Sequence, residues 1–396
     1  MNPRLSLLLI VGIDLFILLY QSLQLSISYY EVIALQQHTF LSYIVNNSLD
    51  FFGKNDLSLR MPMIMMHLLS IYFLYQISKD YIKKEKDRTW LILIYLLLPG
   101  VISSALIVNS AGVVLLTLFF FIYLYKRFPI YYSYILLVIM LILDKNFIYL
   151  YFALMIYSLF EKEKFFLFYS MCLFIFSYSI YGIEIKGVPS GHFLDTLGIY
   201  LAIFSPPIFI YIIYVLLRRF LQNKQDIIWY ISSTTLLFAF VVSIRQKIAI
   251  EYIAPYLIIS LPIMANTFIE SYNIRLTMFR KKYKYIFLLT LSFLVFNSIV
   301  LIFNKELYAI IENPKKHFSY KMHIAKELSI NLKDKGINCL DTKYKLLKRL
   351  EFYGIGQCDK FILKELPIDS RKKADVTVSY NNIEVFKATV TKINNK

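Results

Sequence analysis

The sequence is poor in charged residues, glycine, proline and cysteine. Asp, Glu, Lys and Arg make up 17% of its 396 residues, against 58% hydrophobic residues and a mean hydropathy of +0.58. That balance excludes a soluble protein of this size. With 11 glycines and 11 prolines, the chain has no low-complexity linkers and no solenoid repeats. We therefore predict a polytopic membrane protein.

Several chemical motifs are also missing from the sequence. It contains no P-loop and no G-x-S-x-G motif. Glu184, His192 and Asp195 share one predicted loop but are too dispersed to predict a metal site. The sequence predicts no metal ligand and assigns no certain cofactor, although a divalent cation stays open.

The three cysteines differ in their surroundings. Cys172 lies within an apolar run, and we expect it to be inert. Cys339 and Cys358 lie in the polar C-terminal segment. They are expected to form a disulfide if that segment is extracytoplasmic, and two free thiols are an equal alternative.

Long apolar runs dominate the rest of the chain. Runs of roughly 17–25 apolar residues are long enough to cross a bilayer. The sequence predicts about eleven spans, at 5–24, 61–78, 89–108, 111–125, 130–144, 146–160, 165–183, 196–217, 227–244, 252–270 and 286–303. The first run lacks a small-residue cleavage site, which favours a retained signal anchor.

The distribution of Lys and Arg predicts the orientation. One set of loops, with the N-terminus, holds eighteen of these residues, and the alternate set holds six. The positive-inside rule then places the N-terminus in the cytoplasm and the tail after residue 304 outside the inner (plasma) membrane. The same rule accounts for the net charge of +17, so we expect no nucleic-acid partner.

The composition changes sharply after the last apolar run. Residues 1–304 form the predicted transmembrane domain, with a first outer loop at 25–60, and residues 305–396 form a predicted small α/β domain. Residues 318–335 repeat apolar positions at helical spacing up to Gly336. Two alternating segments, 376–380 and 383–386, flank Asn381-Asn382 and predict a hairpin. The predicted fold class is therefore an all-α membrane bundle with a C-terminal extracytoplasmic α/β domain.

Glu31 is the leading candidate for catalysis. It follows the first apolar run within the aromatic and aliphatic stretch 29–35. A carboxylate held in such a stretch is partly desolvated, which raises its basicity and suits a general base acting on a hydroxyl or amine.

The first outer loop contains Tyr30-Glu31, the stretch 37–41 and a segment from Gly53 to Pro62 that leads into the second span. With these motifs, the first third of the chain resembles the GT-C membrane glycosyltransferases, in particular the bacterial branch similar to protein O-mannosyltransferases and aminoarabinose–lipid A transferases. The resemblance covers roughly residues 5–300. Looser similarities are at 98–100, 144–146 and 245–256. The family's acidic pair is reduced here to Tyr30-Glu31, and its Pro-Pro segment is absent, leaving His38.

The resemblance implies a glycosyltransferase with a sugar on a polyprenyl phosphate as donor and a lipid, glycan or protein as acceptor. Glu31 would be the base or would orient the acceptor. Cations at the outer face would stabilise the phosphate leaving group. Arg60 is expected to orient the loop or to cap the second span, and a salt bridge is favoured over a catalytic role. The residues implied to contact substrate are Tyr30, His38, Arg60, Lys145, Arg245, Lys247 and Tyr252.

Two other functions stay open. A transporter or flippase of a lipid-linked glycan would place ionisable residues near the bilayer midplane and often shows inverted repeats. Here most ionisable residues outside the predicted cytoplasmic loops lie at the outer ends of predicted spans, which favours the enzyme. A structural membrane protein with a sensory outer domain would leave Glu31 unexplained. His67, on an apolar helix, is expected to be a satisfied intramembrane polar residue.

Overall fold

The computed structural model describes residues 2–182, 191–368 and 373–392, and most of them are α-helical. In chain order, the helices among these residues are α1 (Pro3–Gln24), α2 (Tyr29–Gln36), α3 (Phe40–Phe52), α4 (Asp56–Ser78), α5 (Glu85–Leu96), α6 (Pro99–Leu106), α7 (Ser110–Arg127), α8 (Ile130–Leu143), α9 (Ile148–Glu161), α10 (Lys164–Tyr181), α11 (Phe193–Phe204), α12 (Pro206–Leu221), α13 (Ile227–Ser243), α14 (Ile250–Ile258), α15 (Leu261–Ile274), α16 (Thr277–Ile302), α17 (Ala325–Asp334) and α18 (Tyr344–Phe352). The described strands are β1 (Phe361–Leu366), β2 (Val376–Tyr380) and β3 (Ile383–Lys392).

The helices have the apolar character of a multi-pass membrane protein, but the predicted count of eleven spans is not confirmed. Within the described residues, five helices are long and apolar enough to cross a membrane, namely α1, α4, α7, α10 and α16. Three bent pairs raise the number to at most eight: α5 with α6, α11 with α12, and α14 with α15. Helices α8, α9 and α13 have 14, 14 and 17 residues, fewer than the roughly 20 that span a bilayer without distortion.

Prolines explain why three predicted spans are bent. The pairs bend by 65°, 106° and 43°, and Pro99, Pro206 and Pro262 lie at the first or second position of the second helix. Proline has no N–H for the helical ladder and disfavours helical geometry in the residue before it. At the sharpest bend, Ser205 has a φ of 65°, and its hydroxyl accepts a hydrogen bond of 2.8 Å from Asn297.

The chain forms two compact units. The helical unit comprises Met1–Leu15, Met63–Ala105 and Asn109–Ser298. The loop–tail unit comprises Phe16–Pro62, Leu106–Val108 and Ile299–Lys396. The unit that contains the predicted tail domain therefore also contains the predicted first outer loop. The predicted domain boundary at residue 304 stays a prediction.

The helical unit has one continuous apolar core that is rich in aromatic side chains. Tyr95, Phe119, Tyr151 and Phe209 are fully buried in it. Glycine permits a close helix contact there, because a Cβ at Gly100 would overlap the side chain of Ile203. Aromatic packing of this kind contributes stacking energy beyond simple burial.

The tail portion of the loop–tail unit is the predicted small α/β domain. Its antiparallel sheet has the order β1-β3-β2, and α17 and α18 share a core with it through Leu328, Leu332, Leu350, Val378 and Phe386. Cys339 and Cys358 form a disulfide with Cα atoms 5.4 Å apart. The disulfide alternative is therefore confirmed, whereas Cys172 is a free thiol.

The predicted hairpin is confirmed, and the predicted tail helix is confirmed only in its second half. Asn381 and Asn382 have φ of 51° and 64°, the left-handed pair that a two-residue hairpin loop requires. The prediction of a helix is wrong for residues 318–324, which are not α-helical. Their carbonyls bond elsewhere, since Lys321 O accepts from Arg349 and Met322 O accepts from Ser26 N at 2.8 Å. Gly336, with φ of 73°, follows the helix as expected.

Candidate functional site

The candidate site is built around Glu31, in the first turn of α2. Ser28 is the N-cap of this helix, and its hydroxyl accepts from Glu31 N at 3.2 Å. In return, Glu31 Oε2 accepts from Ser28 N at 2.7 Å. This reciprocal capping box explains why the helix begins at Tyr29. It also means that one oxygen of Glu31 is already engaged.

The second oxygen of Glu31 is engaged as well. Oε1 accepts from Val108 N at 3.1 Å and lies 3.8 Å from Nη2 of Arg60. The side chain of Glu31 is 0% exposed. The carboxylate therefore holds three chain segments together and is closed to solvent in this geometry. Its role as a base stays a prediction, one that requires the loop to open.

Arg60 is the hub of the loop–tail unit, and the predicted salt bridge is confirmed. Its guanidinium is fully buried between two carboxylates, with Nη1 lying 3.7 Å from Asp56 Oδ1. The rigid fork of five N–H donors also reaches four backbone carbonyls. These carbonyls are Leu106 O at 2.8 Å, Asp56 O at 3.2 Å, Ser22 O at 3.3 Å and Ser26 O at 3.3 Å. Arg60 thus orients the loop, while substrate contact by this residue stays a prediction.

Asp56 carries a second set of contacts that sequence reasoning missed. Tyr353 donates its hydroxyl hydrogen to Asp56 Oδ1 at 2.6 Å, and Lys326 Nζ lies 3.0 Å from Oδ2. Burial and the charge of Asp56 raise the pKa of Tyr353 above its ordinary value, so the phenol keeps its proton. In the sequence, the spacing of four residues between Asp56 and Arg60 on a helix could have predicted the ion pair between these two residues. Nothing in the sequence pointed to Tyr353 or Lys326.

The tail also holds the segment that precedes Glu31. Arg349 Nε donates to Ile27 O at 3.0 Å, and Ile27 N donates to Tyr353 Oη at 2.9 Å. Burial lowers the pKa of the Arg349 guanidinium to about 10, while the nearby charge of Glu31 opposes that shift. Helix α18 therefore positions the N-terminus of α2, and with it Glu31.

Two predicted substrate residues of the loop face solvent. Tyr30 is 75% exposed beside the buried Glu31, and His38 is exposed in the turn between α2 and α3. Asp50, near the end of α3, is exposed too. Tyr30 and His38 are thus open to a ligand but make no contact with the Glu31 carboxylate.

The other predicted substrate residues belong to the helical unit. Lys145 is exposed at the start of a 3-10 helix, Lys145–Phe147, whose Asn146 O accepts from Tyr256 at 2.8 Å. This bond joins the turn carrying Lys145 to α14, which also carries the half-buried Tyr252. Arg245 and Lys247 are exposed between α13 and α14. The structure thus brings the Lys145 turn against α14, whereas Lys186 and Glu184 fall outside the described residues.

The donor set around Arg60 does not fit a divalent cation. The Arg60 guanidinium lies beside both carboxylates, those of Glu31 and Asp56. A hard cation requires several free oxygen ligands. Within the described residues, no group of three His, Cys, Asp or Glu side chains is arranged to hold a metal ion. His192 instead pairs with Asp195 at 3.0 Å.

Comparison of the chain with protein-family models, with curated proteins and with solved structures finds no match.

Proposed function

We propose that the chain is a membrane glycosyltransferase that moves a sugar from a polyprenyl-phosphate donor to an extracytoplasmic acceptor. The observation that carries the proposal is the buried Glu31–Arg60–Asp56 cluster. Its three residues come from the loop segments on which the family resemblance rests. A buried ion cluster costs desolvation energy and is weak support for stability alone. We take its presence as a sign that the closed loop is held in a defined geometry.

The cluster defines what Glu31 can do. With both oxygens engaged, Glu31 acts first as a positioning residue that holds α2 against the segment 106–108. If the loop opens during the cycle, the freed carboxylate can accept the proton of the acceptor hydroxyl or amine. The positioning role and the base role both follow from the resemblance. Replacement of Glu31 by the neutral isostere Gln distinguishes them, because it removes the proton acceptor and keeps the shape of the side chain.

The cations of the helical unit suit the donor. Lys145, Arg245 and Lys247 are exposed at the ends of apolar helices, where a lipid phosphate would lie. Charge-assisted contacts to phosphate would stabilise the leaving group. The exposed Tyr30 and His38 supply further contacts to sugar.

The tail disulfide supports an extracytoplasmic site. Disulfides persist in oxidising compartments and are rare in the cytosol. The Cys339–Cys358 bond therefore agrees with the orientation proposed from Lys and Arg, in the inner membrane with the tail outside. The acceptor would then be a lipid, glycan or protein of the envelope.

One observation favours a transporter or flippase as the second candidate. His67 Nε2 lies 3.0 Å from Asp14 Oδ2, and both residues are in the middle of long apolar helices. The expectation that His67 has a polar partner is thereby confirmed, and its position inside the membrane stays a prediction. Ionisable pairs at that depth often mark transport pathways.

A transfer assay in detergent separates the two functions. The purified full-length chain would be incubated with polyprenyl-phosphate sugars and an extract of envelope acceptors, and the products weighed by mass spectrometry. A detergent micelle does not separate two aqueous compartments. A transferase can therefore be assayed in it, whereas movement of a lipid across a membrane cannot be detected. The gain of one sugar mass on an acceptor, absent without the protein, is the expected result. No transfer from any donor, together with transbilayer donor movement in vesicles, would establish the flippase instead.

A further inference from the structure

The loop–tail unit contains a pocket at the start of α4 that the proposed function leaves unassigned. Its volume is about 400 Å³, within the range of small-ligand sites. The first outer loop and the tail both line it. The lining residues are Leu23, Lys54, Asn55, Asp56, Leu57, Lys326 and Tyr353.

The negative charge in this pocket is already neutralised. Asp56 is 4% exposed. Its carboxylate accepts a hydrogen bond from Tyr353 and forms ion pairs with Lys326 and Arg60. Arg60 in turn is balanced by Glu31. A ligand therefore meets a satisfied carboxylate and not a free one.

The two lysines of the pocket retain unused binding capacity. Lys326 uses one N–H on Leu23 O at 2.7 Å and one on Asp56, which leaves a third donor. Lys54 is exposed and makes no ion pair with any residue that the structure describes. With Asp56 paired to Lys326 and Arg60 balanced by Glu31, Lys54 leaves the pocket with one excess positive charge, so the pocket favours an anion.

The remaining walls suit a sugar ring. Leu23 and Leu57 provide apolar surface at the same opening where the lysines provide charge. A volume of about 400 Å³ holds a monosaccharide with its ordered water. Apolar contact to a ring face combined with a few charged donors is the usual composition of a small-ligand site.

We propose that this pocket binds an acidic sugar of the acceptor, one that carries a carboxylate or a phosphate, through Lys54 and Lys326. The identification of the sugar as part of the acceptor rests on the proposed transferase function, whereas the binding of an acidic sugar does not. It also gives the tail a function, because Lys326 and Tyr353 complete a site that the first loop cannot build alone.

The test measures binding to the purified full-length chain by isothermal titration calorimetry. The probes are glucuronic acid, glucose 6-phosphate and neutral glucose. Each charge-assisted contact is worth about tenfold in affinity, so both acidic sugars should bind at least about tenfold more tightly than glucose. Equal binding of all three would overturn the proposal.

Matched charge reversals localise the effect. Lys54→Glu should weaken the acidic sugars by about tenfold or more and leave glucose unchanged. Lys360→Glu changes the net charge equally on an exposed tail residue outside the pocket and should alter affinity less than about twofold. Equal losses in the two variants would show general surface attraction and would overturn the site. Because Lys54 is exposed, neither variant is expected to unfold, and the thermal unfolding temperature verifies this.

A competition experiment separates the acceptor from the donor. A short-chain polyprenyl phosphate should not displace glucuronic acid. Displacement that depends on Lys54 would assign the pocket to the donor phosphate and overturn the acceptor assignment. If the sugars bind as expected but no transfer occurs in the detergent assay, the proposed function fails while the binding site stands.

Discussion

Oε1 of Glu31 and Nη2 of Arg60 lie 3.8 Å apart, and neither side chain is exposed to solvent. The pair joins the first turn of α2 to the first turns of α4. Because Asp56 lies on the other side of the guanidinium, removal of the central cation has the largest predicted effect.

Arg60→Met should destabilise the loop–tail unit by about 3–5 kcal/mol, since it leaves two buried carboxylates without a cation. The midpoint of thermal unfolding in detergent measures the loss. Lys360→Met, at an exposed position, is the control and should stay near the wild-type value. An unchanged midpoint for Arg60→Met would show that water hydrates the two carboxylates and that the cluster is not buried as described.

Glu31→Gln keeps the shape of the side chain and removes the proton acceptor. If Glu31 is the base, transfer to a hydroxyl or amine should fall by about 10²- to 10⁴-fold, with the loss present even where the variant is fully folded. Asp50→Asn, in the same predicted loop but exposed, should have little effect. A loss that follows only the folded fraction would assign Glu31 a purely positioning role.

Lys145→Gln and Arg245→Gln should weaken donor use by about tenfold or more each, through lost charge-assisted contacts to phosphate. The quantity to compare is kcat/KM for the polyprenyl-phosphate donor. Lys162→Gln, in a loop predicted to be cytoplasmic, is the matched control. Unchanged donor kinetics in both variants would make Lys145 and Arg245 interfacial anchors.

The tail should be extracytoplasmic. A C-terminal reporter that is active only in the cytoplasm should give no signal, because the Lys and Arg asymmetry places the C-terminus outside. Thiol labelling of the unfolded, non-reduced protein should modify Cys172 alone, since Cys339 and Cys358 are bonded. Strong reporter activity would reverse the topology, and labelling of all three cysteines would remove the disulfide that supports it.

The stability of the tail should decrease in acid because of His323. This residue is 1% exposed, Nδ1 pairs with Tyr308 Oη at 3.0 Å, and Nε2 has no hydrogen-bond partner among the described residues. Burial, and then the charge of Lys305, lowers its pKa from 6.5 to about 3. Between these values the unfolded chain binds a proton that the folded chain does not, so stability is complete above pH 6.5 and falls as pH decreases towards 3.

The slope is about 1.4 kcal/mol per pH unit for one histidine. The unfolding midpoint of the full chain measured from pH 4 to pH 8 tests the prediction. His323→Phe keeps a buried ring and should flatten the profile, although the buried His317, whose pKa is also lowered by burial, leaves a residual slope. His38→Phe, at an exposed position, should leave the profile as it is. An identical slope in His323→Phe would contradict the assignment.

Some features of the fold follow from short stretches of sequence. Within the described residues, the eleven apolar runs coincide with α1 and with α4 to α16, three of them as bent pairs, since backbone groups in apolar surroundings must bond within their own segment. Asn381-Asn382 determined the hairpin because both residues tolerate the left-handed geometry of its turn. The chain alone could not decide how each run continues through Pro99, Pro206 or Pro262, because a proline can start a helix or bend one.

Other features depended on contacts between distant residues. Ser28 and Glu31 form a capping box that a pattern of four residues predicts, but burial of that box requires Arg60, Val108 and Arg349. The partnership of Asp56 with Tyr353 spans 297 residues. The local sequence therefore determined the helices, the hairpin and the presence of a charged first loop. Only the tertiary structure decided which charges pair, because the free energy of a buried ion depends on the partners that replace its water.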